Sequence, residues 1–190
     1  DTFGVNMLAV ADGRPETLGL KQILEYYIEF QYELATRKYQ TLLAKEQEKR
    51  EIQEGLIRAC DVIDLIIEIL RGSKNVKDAK ACLIEGKTEN IRFKSEASKK
   101  RASKLRFTER QASAILEMRL YRLIGLEIEA LMAENAQTLK NIATYEDILE
   151  NHASMTKVII KEMDAIKKAY ARPRRTSIEN AAEIVFEEKK

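Results

Sequence analysis

The feature that most constrains this chain is a helical apolar pattern running from Leu20 to Leu70 with no proline in it. Apolar residues recur at Leu20, Ile23, Tyr27, Phe30 and Leu34, and again at Ile52, Leu56, Ala59, Ile63, Ile66 and Leu70. Alternating steps of three and four draw a narrow stripe along one helix face, which must find a partner helix. At 1.5 Å per residue one helix of this length would extend about 75 Å, more than a domain of this size can enclose, so it projects as an arm.

The partner stripe lies near the other end. Ile128, Met132, Leu139, Ile142 and Leu149 repeat with the same spacing, and Ile159, Met163, Ile166 and Tyr170 continue it. Roughly sixty residues separate the two arms, room for a small helical tip in which the chain turns round. The expected fold is therefore mainly all-α, a long antiparallel coiled-coil stalk carrying a helical tip and preceded by a β-hairpin. The boundaries read as a hairpin over 1–19, an outgoing helix over 20–72, a tip over 73–126, a returning helix over 127–172 and a linker tail over 173–190.

Composition fits long solvated helices: 34% of residues are charged, 6% aromatic and none tryptophan, while 45% remain hydrophobic, too many for a disordered chain. A net charge of +2 argues against a nucleic-acid footprint over the whole surface. Cys60 and Cys82 sit in apolar helical contexts and read as reduced core residues of a cytosolic protein rather than a disulfide. No run approaches the roughly twenty apolar residues that span a bilayer, and no signal peptide opens the chain, so a cytoplasmic location is expected. The start lacks methionine and enters a strand-like run at once, which reads as a piece of something larger.

Local signals fill in the outline. Phe3 to Val10 alternates as a strand, Asp12 and Gly13 supply a tight turn, and Pro15 to Leu18 can return beside it. Gly19 precedes the long helix with Gln22 at its third position. From Lys45 to Glu51 the helix has almost nothing to bury and reads as a solvated face held by pairs such as Glu46 with Arg50. Gly72 and Ser73 end the arm, and Asn75 caps a short helix with Val76, Ala79 and Leu83 inward. The stretch 86–105 is the least structured. Its basic residues admit a phosphate-contacting role for Lys99 to Arg106, but the near absence of aromatics favours a solvated insertion.

Thr108 and Gln111 form a capping box that opens a helix apolar around most of its circumference as far as Ile124, before Gly125 breaks it. A tip this small cannot bury such a helix on every side, so a second face is expected against another protein chain. The candidate contact residues are Ala112, Ile115, Leu116, Arg119, Leu120 and Leu123. The alternative is a core helix of the tip alone. The returning arm falters at Glu150 to Ser154, which predicts a bend or a restarted helix and makes Asn151, His152, Ala153 and Ser154 a candidate hinge. His152, the only histidine, has no ligating neighbours at metal spacing and reads as a solvated loop residue.

At this point the residues resemble a family. Phe107-Thr108-Glu109-Arg110-Gln111-Ala112-Ser113-Ala114-Ile115-Leu116-Glu117-Met118-Arg119-Leu120-Tyr121-Arg122-Leu123-Ile124-Gly125-Leu126-Glu127 resembles the exit-gate signature of bacterial type IIA topoisomerase A subunits, gyrase A more closely than topoisomerase IV A. Phe3-Gly4-Val5-Asn6-Met7 and Arg174-Arg175-Thr176 are similar to the segments that enter and close that region. Ile124 departs from the threonine usual there, and the basic stretch before Phe107 matches no family motif. The resemblance implies a homodimeric, ATP-dependent enzyme that passes one duplex through a break in another. Its partners would be duplex DNA and the ATPase-bearing B subunit. Its cleavage tyrosine, acidic Mg-binding cluster and ATP site belong to regions outside this chain, so no catalytic, metal or cofactor residue is expected here. The chain itself then serves as the gate that joins two copies through their tips. A non-enzymatic coiled-coil scaffold is the competing class.

Overall fold

In a computed structural model, residues 4–119 and 125–177 are described, Gly125 and Leu126 by backbone alone. The described elements are β1 (Leu8–Ala11), β2 (Arg14–Thr17), α1 (Leu20–Asp61), α2 (Ile63–Gly72), α3 (Val76–Glu85), α4 (Glu96–Ala102), α5 (Glu109–Leu116), α6 (Gly125–Glu150) and α7 (His152–Tyr170). β1 and β2 pair antiparallel from Leu8 with Thr17 to Ala11 with Arg14. Asp12 and Gly13 both take positive φ, 51° and 76°, as a two-residue hairpin turn of the primed type requires. The Gly19 amide donates to Gln22 Oε1 at 2.9 Å where α1 begins.

The stalk forms by the expected antiparallel pairing. Gln53 meets Asn135, Glu46 meets Asn141 and Tyr39 meets Tyr145, so partners climb in α6 as they descend in α1. The outgoing arm is not one helix, however. α1 ends at Asp61, Val62 leaves helical geometry (φ −121°, ψ 30°), and α2 restarts at Ile63. No proline or glycine marks the break; Leu65, Ile66 and Ile69 are buried in the tip core, and that tertiary packing outweighs local helix propensity.

The return differs more. Tyr32 reaches Thr156 and Lys38 reaches Glu162, both 124 residues apart, and a constant offset is the mark of parallel neighbours. Had α7 continued straight past Asn151, Glu162 would lie about 18 Å further along α1 than Lys38 can reach. α7 therefore doubles back beside α1, and the lower stalk has three helices. One consequence is that Leu20, Leu24, Tyr27, Ile28, Phe30 and Leu34 on the first turns of α1, together with Ile166 and Tyr170 on α7, remain exposed.

Two apolar cores result. The tip core joins Leu56, Ala59, Leu65, Ile66 and Ile69 to Cys82, Leu83, Ile91, Phe107, Ala112 and Ile115, among others. The lower core joins Ala35 and Tyr39 to Ile148, Met155 and Ile159. Between them the α6 seam follows the expected pattern only in part: Ile142 is buried, but Met132 and Leu139 face solvent, and Thr138, one residue before Leu139, is 1% exposed. Its hydroxyl donates to the Glu134 carbonyl at 3.0 Å, so a polar side chain sits in the seam at little cost.

Candidate gate surface and stalk corner

The tip is built by docking α5 onto α1. Thr108 Oγ1 accepts from the Gln111 amide at 3.2 Å and Gln111 Oε1 accepts from the Thr108 amide at 3.0 Å, closing the capping box. Both side chains also reach α1: Thr108 Oγ1 donates to Glu51 Oε1 at 2.6 Å, and Gln111 Nε2 to the Glu51 carbonyl at 2.8 Å. Arg110 adds Glu48 at 3.0 Å and Glu51 at 3.8 Å. The charged middle of α1 is thus partly a docking strip. Arg50 lies 3.7 Å from Glu54 rather than pairing with Glu46, which accepts from Asn141 Nδ2 at 3.3 Å.

Gly55 permits this approach, because a Cβ there would overlap the Gln111 side chain. Below it, Phe107 is buried with the Arg58 guanidinium 4.5 Å from its ring centre, and its amide donates to the Leu83 carbonyl. α3 is capped as expected, Asn75 Oδ1 accepting from the Asp78 amide at 2.8 Å, although Val76 is 69% exposed rather than inward.

Of the six candidate contact residues, Ala112 and Ile115 are 0% and 2% exposed inside the tip core. A side chain already enclosed by its own chain has no surface left for a second one, so these two are corrected to core positions. Leu116 is half-buried and Arg119 exposed at the outer end of α5, which closes at Leu116 instead of running on to Ile124. Leu120 and Leu123 lie outside the described residues.

At the other candidate site the helix restarts where the sequence falters. Asn151 is extended and its Oδ1 accepts from the Ala153 amide at 3.0 Å, while Ser154 Oγ donates to Asp147 at 2.7 Å. His152 is not a loop residue: it opens α7 and stacks on Tyr32, ring centres 4.9 Å apart and planes within 13°. The Thr156 hydroxyl bonds both the His152 carbonyl and the Tyr32 hydroxyl. The stack is hidden in the sequence because its partner is 120 residues away.

The family model that describes the A subunit of DNA gyrase/topoisomerase IV matches residues 1–164. The chain belongs to the DNA gyrase/topoisomerase IV A-subunit family. It is 39% identical over 95% of its length to the gyrase A subunit of Clostridium acetobutylicum, and 39% identical over 97% to that of Aminobacterium colombiense. Against the A subunit of DNA topoisomerase 4 from Staphylococcus aureus it is 34% identical over 97%. The chain spans about a fifth of the length of these relatives.

Among the described residues no group of three or more His, Cys, Asp or Glu side chains is placed to hold a metal ion. Burial pushes the Cys82 thiol up to about 11, and burial followed by the Asp61 charge raises Cys60, so neither is a thiolate near neutral pH. Tyr26 is raised by the Asp12 carboxylate, the opposite of an activated nucleophile. No described helix is long and apolar enough to cross a membrane.

Proposed function

We propose that this chain is the exit gate of a cytoplasmic type IIA topoisomerase, carried on its A subunit. Two copies meet through their tips and the paired stalks enclose a space for a duplex. The gate holds the dimer while DNA is cut and parts to release the transported segment. The parent enzyme, acting with an ATPase B subunit, ATP and Mg on other regions, is the isomerase; this chain alone is inactive. The observation that carries the reading is the family match over a stalk whose far end bears a separately cored tip.

Reversible parting favours a modest apolar contact, on the order of 1,600 Å². With Ala112 and Ile115 enclosed, the contact centres on Leu116 and Arg119 and includes Leu120 and Leu123. The corner at Asn151, His152, Ala153 and Ser154 serves as the point of flexure. Light scattering tests the gate: the chain should weigh twice its 21.8 kDa, and Leu116→Asp should reduce it to one copy. Arg119→Glu, at an exposed position that leaves the core untouched, should do the same. A dimer unchanged in both variants rejects this surface.

A further inference from the structure

The stretch 86–106 carries eight basic residues against Glu89 and Glu96, a net +6, so the rest of a chain of net +2 carries −4. One part of the tip thus carries a dense cationic excess; a second run, 157–175 with seven basic residues against Glu162 and Asp164, lies on α7 and just beyond it. The charged side chains of 86–106 are solvated, as expected from sequence, but its backbone is anchored and partly helical. The Arg92 amide donates to the Gly72 carbonyl at 3.1 Å, Ser73 bridges to Ile91, and the Lys94 amide is held by Glu68. Ser95 caps α4 by accepting from the Ser98 amide at 3.1 Å, and Ala102 on the last turn is 0% exposed.

With Ala102 directed into the core, 100° per residue points Lys100 away from it, with Lys99 and Arg101 on either flank. All three are exposed, as are Arg92, Lys94 and Lys104. Lys99 lies 3.9 Å from Glu96, Lys87 pairs with Glu85, and Arg106 donates to the Ser103 and Leu105 carbonyls. Arg92, Lys94, Lys100, Arg101 and Lys104 have no carboxylate partner among the described ion pairs. The one ring in the stretch, Phe93, packs against the core, leaving no platform for stacked bases.

We infer that the α4 face of the tip, centred on Lys100, Arg101 and Lys104, is a binding surface for the phosphate backbone of duplex DNA, independent of base sequence. Fixed cations without aromatic platforms match a paired backbone rather than an unstacked single strand. The choice of DNA over another polyanion rests on the proposed topoisomerase function. Such a surface would hold a departing duplex at the gate weakly enough to let it go.

The test is fluorescence anisotropy of the 190-residue chain with a labelled 20-base-pair duplex, a single strand of equal length and polyglutamate. About four phosphate contacts predict saturable duplex binding that weakens roughly a hundredfold between 50 and 200 mM salt. The variant Lys99→Glu, Lys100→Glu, Arg101→Glu should lose at least tenfold in affinity at 50 mM. It should also flatten the salt slope by about three, with an unchanged circular dichroism spectrum. Lys104→Glu, off the helix, should weaken binding alone, and Lys100→Arg should preserve it. Absence of duplex binding at 50 mM, equal binding by the charge-reversed variants, or tighter binding of polyglutamate or single strand overturns the inference. Dimer mass read on the same samples separates this from the gate: a dimer that ignores DNA sinks only the phosphate surface, whereas a monomer that binds DNA sinks only the gate.

Discussion

At the scale of the residue, the side chains that matter most are those whose environment departs furthest from water. Cys82 is fully enclosed and its thiol is held near 11 against 9.0 when exposed. A group whose folded value is raised adds stability that is complete below the unfolded value and vanishes as pH climbs through the folded one. The chain should therefore lose up to about 3 kcal/mol between pH 9 and 11 from this residue. Urea midpoints at pH 8 and pH 10.5 should fall less steeply for Cys82→Ala than for the parent. Asn151 offers a simpler case. Its carboxamide satisfies an otherwise free amide of α7, so Asn151→Ala should cost about 1 kcal/mol in urea unfolding. Both roles are readable in part. Asn151 reads from sequence as the place where the helix bends or restarts, though not as its cap, and Cys82 in an apolar helix reads as core. The His152–Tyr32 stack is not, because it depends on where α7 goes.

At the scale of the element, helix existence is legible in the sequence and direction is not. Periodicity reports which face of α7 is apolar, and of the residues it marks Ile159 and Met163 do face inward while Ile166 and Tyr170 stay exposed. It says nothing of whether that face meets α1 on the way down or on the way back up. Small Ala35 beside Tyr39 opens the place that these residues fill. The same limit explains Val62: the apolar repeat passes through it unbroken, and only the tip core decides that α2 turns away. Gly55 is where two elements come closest. A side chain there would push α5 off its docking strip, so Gly55→Ala should destabilise the tip by roughly 1–3 kcal/mol. The loss should appear as faster hydrogen exchange in α5, with the lower stalk unchanged. If α5 stays as protected as before, the docking is looser than its bonds imply.

At the scale of the whole molecule, the two cores and the uncovered start of α1 set a gradient of order. Amides of residues 20–30, whose helix buries almost nothing among the described residues, should exchange fastest. Those of Leu65 to Ile69 should exchange slowest. Between the cores polar pairs line the seam together with buried Ile142: Gln53 and Glu46 on α1 meet Asn135 and Asn141 on α6, and Gln53 Nε2 is enclosed without a partner. Replacing Gln53 and Asn135 together by leucine should raise stability in urea unfolding while loosening the choice of register, since polar seam positions give up stability for a single alignment. Charge segregation, legible only as a run of lysines in sequence, becomes a surface because α4 is anchored.

The doubling back of α7 also has a mechanical side. Over Tyr32 to Leu42 the rod is three strands thick, and above Leu43 it thins to two before the tip widens it again. A beam braced over part of its length yields where the brace stops. Sideways load on the knob will therefore also curve the slender, water-friendly span around Glu46 and Asn141, a second place of give besides the corner at Asn151.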